Sequence, residues 1–287
     1  MRIRTRTFAA CAAVLTLSLF GAACSSNGSE GDASAPTTTA AAEETTTTEA
    51  PQTLTILVSN DDGVGAPGID ALVNALSELP DTEVIVSAPA ENQSGSGSKF
   101  TPGELTTAEA TTASGYPATA VTGFPADSVN WALDGGVSET PQLVVTGVNS
   151  GQNLGAIGDQ FSGTVGAARA AAARGIPALA TSMGLSDDAD YDLAATYVVA
   201  WVEANRAALL DGSMAGDVVV IRSMNIPHCV TGEIRGEVEV TMSTASDGAL
   251  TDQNCESTIE APADDITAFN NGFVTLSDLT LTAAPAA

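Results

Sequence analysis

The chain has 287 residues, with nine Lys and Arg against 35 Asp and Glu, a formal net charge of −26 and 44% hydrophobic residues. So acidic a surface argues against nucleic-acid polymers as partners, because phosphate backbones are held by Lys and Arg. It also repels small anions unless a cation is interposed, and one histidine with four cysteines is a poor supply of ligands for zinc, which takes four.

The first segment runs Met1-Arg2-Ile3-Arg4-Thr5-Arg6, then apolar from Phe8 to Ala23, and closes on Gly21-Ala22-Ala23-Cys24. A basic start, a short apolar stretch and small residues read as an export signal over 1–23, shorter than a comfortable membrane span of roughly 20 apolar residues. The end of the run resembles the lipobox of bacterial lipoproteins, with Gly21 where that motif usually has Leu. The resemblance implies acylation at Cys24 and anchoring to the outer face of the cell membrane. A plain secretory signal with an incidental cysteine is the alternative. Residues 24–52 are mostly Ser, Thr, Ala, Glu, Pro and Gly with no aromatic side chain. Such a stretch cannot bury enough apolar surface to offset its ordering entropy, so it is expected to be a disordered tether, its Thr runs suited to carry glycans. Loss of the signal leaves Lys99, Arg169, Arg174, Arg206, Arg222 and Arg235 as the basic residues.

Residues 53–287 are enough for one α/β domain. Leu54–Val58 is a buried-strand pattern that stops at Ser59-Asn60-Asp61-Asp62-Gly63. Ile69, Leu72, Val73, Leu76 and Leu79 follow at helical spacing until Pro80-Asp81, and Val84–Val86 is a second strand. Leu143–Thr146, the Ala-rich helix 163–174, the strand 177–181, the helix 193–210 and a strand 217–221 continue the alternation. The expected fold is a three-layer α/β/α, Rossmann-like, mostly parallel sheet, with a small β-rich appendage over 225–287. In open α/β sheets, ligands bind outside the carboxyl ends of the strands, and the polar clusters of this chain fall there.

Asp61 and Asp62 are consecutive carboxylates beyond the first strand. They repel one another unless a cation or proton lies between them, although Asp-Asp-Gly alone is most often a turn. Glu91 to Ser98, after the second strand, reads by composition first as a flexible loop, though its amides and hydroxyls suit an anion or metal-bound phosphate. The turn Thr146 to Gly155 carries Asn149 and Asn153, able to offer an oxygen to a hard cation and an amide to an oxyanion. Ser162-Gly163-Thr164 opens the Ala-rich helix and is either a bare N-cap or a phosphate cradle.

In their order along the chain these clusters resemble the SurE nucleotidase family. The resemblance rests on Ser59 to Gly63 followed by Ala66-Pro67-Gly68-Ile69, then Asn92-Gln93-Ser94-Gly95, Gly123 to Asp127, Gly147 to Gly155 and Ser162 to Val165. It returns at Asn225-Ile226-Pro227 and Asn271 to Leu276. It implies a metal-dependent phosphomonoesterase that hydrolyses nucleoside 5'- or 3'-monophosphates. The divalent metal, magnesium or manganese, would be held by Asp61, Asp62, Ser94 and Asn149. Asn92, Asn153, Ser162, Gly163 and Thr164 would surround the phosphate, and Asp61 or Asp62 would take the proton of the attacking water. Asp127 is assigned a structural role. Phe124 stands where the family often has Thr, which bears on substrate recognition, and the segment between Val240 and Thr251 is shorter than the family's dimerisation arm, which leaves the oligomeric state open between a homodimer and a monomer.

Rival functions are a lipoprotein that captures phosphorylated ligands without turnover, and a broad-specificity acid phosphatase or polyphosphatase. Outside the cytoplasm the remaining Cys229 and Cys255 are expected to pair. His228 has no Gly-x-Ser-x-Gly elbow to serve and is read as a packing or surface residue.

Overall fold

A computed structural model describes residues 52–216 and 220–279. The expected signal, Cys24, all but the last residue of the tether, Asp217 to Val219 and the end of the chain from residue 280 lie outside the described residues. The elements are β1 (Leu54–Ser59), α1 (Pro67–Ser77), β2 (Thr82–Pro89), β3 (Thr106–Thr111), β4 (Pro117–Thr122), α2 (Pro125–Trp131), β5 (Leu143–Ser150), α3 (Gly155–Phe161), α4 (Gly163–Ala172), β6 (Ala178–Met183), α5 (Tyr191–Leu210), β7 (Ile221–Ile226), β8 (Glu237–Glu239), α6 (Asp265–Asn270) and β9 (Val274–Leu279).

They form a nine-stranded sheet in the order β3-β4-β2-β1-β5-β6-β7-β9-β8. The six neighbouring strands β4-β2-β1-β5-β6-β7 are mutually parallel, while β3 pairs antiparallel with β4 and β9 antiparallel with β7. Side chains alternate across a strand, and β1 shows what that does here. Leu54, Ile56 and Val58 join one core with α1 and α5, through Leu72, Leu76, Val198 and Val202. Leu57 points to the other face, where Val129 of α2 and Val165, Ala168 and Ala171 of α4 pack. Helices on both faces explain why β1, β5 and β6 are buried along nearly their whole length, as expected of strands covered twice. This is the three-layer α/β arrangement expected from the alternation of elements.

Two details differ from expectation. Of the strand expected at 217–221, residues 217–219 lie outside the described residues; Val220 is 48% exposed, and the described strand runs from Ile221 to Ile226. Its polar residues Ser223 and Asn225 are buried and hydrogen-bonded, so an apolar-run criterion misses them. The C-terminal stretch extends the main sheet: β8 pairs parallel with β9, and β9 pairs with β7. Between them α6 packs Ile266 and Phe269 on Leu154 and Ala249 in a small separate core. The strands β3 and β4 and the helix α2 carry no strong periodic signal and were not anticipated.

The chain leaves β1 for β2 and β4 on one side and returns to β5 on the other. The β1/β5 junction is therefore the point where strand order reverses, and a crevice opens there beyond the carboxyl ends.

Candidate functional site

At the end of β1 the Asn60 side chain closes a tight turn, its Nδ2 donating to the Gly63 carbonyl at 2.8 Å while its Oδ1 accepts from the Gly63 N–H at 3.2 Å. The turn is tied to the loop after β2 by the Gln93 N–H, which donates to the Asp61 carbonyl at 2.7 Å. Asp61 and Asp62 are thereby presented at the crevice.

The two carboxylates are anchored differently. Asp61 is buried, and its Oδ1 accepts from the Thr164 hydroxyl at 2.6 Å. Asp62 is half-buried: Oδ1 accepts from Asn92 Nδ2 at 3.3 Å and Ser94 Oγ at 3.5 Å, and Oδ2 from the Ser150 N–H at 3.0 Å. Neither joins an ion pair among the described residues. Burial pushes the Asp61 carboxyl up to about 6, against the pull of the Thr164 hydrogen bond and with a further upward push from Asp62. Burial also raises Asp62, opposed by its bonds from Ser150, Ser94 and Asn92. Desolvated carboxylates without a counter-charge are costly.

Across from them β5 is irregular. Its register with β6 shifts between Thr146 and Asn149, and such a bulge re-aims the residues that follow. Gly147 has φ +124°, and a Cβ there would lie 2.2 Å from the Thr181 carbonyl oxygen. The Asn149 Nδ2 donates to the Gly151 carbonyl at 2.6 Å, which leaves its Oδ1 for another partner. Asn153 donates from Nδ2 to Ser182 Oγ at 2.9 Å and from its backbone to Asn225 Oδ1 at 2.7 Å.

The third wall is the start of α4. Ser162 is its N-cap, the Oγ accepting from the Val165 N–H at 3.1 Å, and the first amides of a helix have no partner within it. Gly163 lies against Asp61, so closely that a Cβ would sit 2.7 Å from the Asp61 Cβ and 2.8 Å from the Ser96 Oγ.

Asp61, Ser94, Asn149, Asn153 and Ser162 thus line one cleft of about 250 Å³. Asp62 and Asn92 line an adjoining one, and Ser150 belongs to both. No Lys, Arg or His lines either. Thr164, expected among the phosphate-surrounding residues, is fully buried with its hydroxyl given to Asp61. Its hydroxyl therefore serves the carboxylate. Asp127 is buried and accepts from the Thr101 N–H and hydroxyl and from the Phe124 N–H, a structural part. His228 lines a different cavity beside Cys229, away from both carboxylates. A larger cavity of about 600 Å³, lined by Arg222, Glu239 and Asp278 among others, also lies elsewhere. Its one cation is already paired with those two acids, so it offers less chemistry than the smaller cleft.

Sequence reading passed over four residues that shape the site: Asn60, Gln152, Asn225 and Ser96. Ser96 is buried, and its hydroxyl lacks a hydrogen-bond partner. Asn60 was legible as the residue preceding the two acids. The other three act through distant contacts that no local pattern reveals.

Comparison with known proteins agrees with this architecture. Residues 56–248 match the family model described as Survival protein SurE. A protein of Methanocella arvoryzae named 5'-nucleotidase SurE is 37% identical over 190 residues, 63% of this chain and 70% of that protein. A protein of the same name from Methanococcoides burtonii is 34% identical over 197 residues, 65% and 72% of the two chains. The crystal structure of the SurE protein from Aquifex aeolicus superposes with a TM-score of 0.64 at 26% identity, covering 80% of this chain and 94% of that one. A family match over most of the domain, on the same fold, makes this chain a member of the Survival protein SurE family.

Proposed function

We propose that the chain is a 5'-nucleotidase, a metal-dependent phosphomonoesterase that converts nucleoside monophosphates, 5' and also 3', to nucleoside and phosphate. The observation that carries this reading is the pair of desolvated, adjacent carboxylates at the strand-order reversal, facing hydroxyl and amide groups in a cleft with no Lys, Arg or His in its lining. The names of the relatives support it.

The donors fit a hard divalent cation. Asp61, Asp62, Ser94 and Asn149 offer oxygen only, a set suited to magnesium or manganese and ill suited to zinc. The Ser96 hydroxyl is an unpartnered polar atom in the same neighbourhood. When bound, the cation supplies charge neutralisation for phosphoryl oxygens and acidifies water.

The chain's own groups do the rest. Asn153, Ser162 and the first amides of α4 donate toward the equatorial phosphoryl oxygens, where charge must be stabilised during in-line displacement. Asn92 holds Asp62 and borders the adjoining cleft. Asp61 or Asp62 takes the proton of the attacking water. Thr164 and Ser150 fix the carboxylates in place, so little reorganisation is left to the reaction.

The test is phosphate release from AMP by the purified chain with magnesium or manganese, with and without chelator, alongside Asp61→Asn and Asp62→Asn. Release that stops with chelator and in both variants supports the reading. Tight AMP binding with no release would point to a capture lipoprotein, and equal rates across unrelated phosphoesters or polyphosphate to a broad phosphatase.

We propose further that the enzyme is exported and lipid-anchored through Cys24. The basic and apolar start of the sequence supports this, as does the Cys229–Cys255 pair, whose Cα atoms are 5.7 Å apart and which suits an oxidising compartment. Incorporation of labelled fatty acid that is lost in Cys24→Ser tests it.

A further inference from the structure

Among the described residues few large apolar side chains are exposed, and three of them converge on one place. Phe161, Leu185 and Leu250 are 59%, 69% and 71% exposed, and all line the cleft that holds Asp61, Asn149 and Asn153. They come from the end of α3, the turn after β6 and the C-terminal stretch, so no local pattern brings them together. Singly exposed apolar residues need no explanation, but convergence around a polar cleft does.

The rim is also built. Gln152 is buried, its Oε1 accepting from the Leu185 N–H at 3.1 Å and its Nε2 donating to the Ala249 carbonyl at 3.2 Å. One side-chain amide therefore fixes both the turn bearing Leu185 and the segment bearing Leu250. The cleft has a polar floor suited to phosphate and metal and a neutral apolar rim. A ligand that satisfies both ends is a phosphomonoester whose alcohol portion carries a flat, weakly polar ring.

Resting on the phosphomonoesterase reading above, we propose that Phe161, Leu185 and Leu250 clamp the nucleobase of a nucleoside monophosphate and set the preference for nucleotides over small phosphoesters. Their contact is with the part of the substrate that does not react, so they govern binding more than turnover.

The experiment measures steady-state kinetics of the full chain with AMP and with glycerol phosphate, which has no ring. Wild type is compared with Phe161→Ala, Leu185→Ala and Leu250→Ala. For each variant the expected result is a KM for AMP raised about tenfold, the scale of one apolar side chain packed on a ring, with kcat and the glycerol phosphate constants unchanged. An equal loss on both substrates, or no change with AMP, overturns the clamp. So does light scattering that shows a wild-type dimer which the variants dissolve, because the rim would then be a face between copies. Tyr191, which lines the adjoining cleft, is the control: a selective loss of AMP in Tyr191→Ala alone would move the base there and overturn the proposal. If wild type hydrolyses neither compound, the phosphomonoesterase reading fails separately. Equilibrium binding with magnesium then reads the clamp, which requires the three variants to weaken AMP and leave glycerol phosphate unchanged.

Discussion

The Thr164 hydroxyl donates a 2.6 Å hydrogen bond to Oδ1 of Asp61 across 103 positions of sequence, joining the start of α4 to the end of β1. The bond favours the ionised carboxylate and opposes the upward push of burial. Thr164→Val keeps the shape and removes the donor. The expected outcome is metal affinity or activity lower by about 10- to 100-fold, the usual cost of losing a partner that orients a ligand. Thr164→Ser should retain most of both. Isothermal titration with manganese and phosphate-release assays read the two quantities.

Gly163 is where space decides. A methyl group there would meet the Asp61 Cβ at 2.7 Å, a stem atom that cannot swing away. Gly163→Ala should cost about 1–3 kcal/mol of stability, as overpacking does, and should abolish most activity by displacing the carboxylate. Thermal denaturation and the phosphate assay separate the two effects.

The strands β1, β5 and β6 were legible where their buried positions begin with apolar residues on both faces. The runs Leu54–Val58, Leu143–Thr146 and Ala178–Thr181 are apolar because helices lie above and below. β3 was not legible, since Thr106–Thr111 is an edge strand exposed over most of its length. β7 was misjudged because Val220 and Ile221 continue an apolar run, while the observed strand spends its buried positions on Ser223 and Asn225. Asn225 is polar because it holds the Asn153 backbone, 72 positions away. The site followed the same division. Asp61, Asp62, Ser94 and Asn149 sit in short clusters at strand ends and could be found from sequence. Gln152 and Ser96 matter through residues far away in the chain, as does the Thr164 hydroxyl, which serves Asp61 103 positions away.

Stability of the metal-free chain should depend on pH through Asp61. The folded carboxyl keeps its proton up to about pH 6, whereas its ordinary value is 3.8. Between these the folded state binds more protons than the unfolded one, so stability falls as pH rises through this window. The loss is on the order of 3 kcal/mol at neutral pH. Manganese should reverse it, because it favours the ionised form. Melting curves with and without manganese at pH 4.5 and 7.5 check this: the metal-induced rise in Tm should be larger at pH 7.5, and Asp61→Asn should flatten the metal-free profile.

The Cys229–Cys255 pair closes a loop across 26 positions, between the end of β7 and the segment that leads to α6. In the chain-entropy model such a loop contributes about 3–4 kcal/mol. Cys229→Ser with Cys255→Ser should lower Tm by roughly 10 °C for a domain of this size, with the AMP kcat retained. Scanning calorimetry of wild type and double variant measures it.

The most direct test of the account is anomalous diffraction from a crystal grown with manganese, using protein active on AMP. A single manganese peak within coordination distance of Asp61, Asp62, Ser94 and Asn149 is the result the account predicts. Active protein whose crystals show no manganese at those four side chains, or show it held elsewhere, would contradict it.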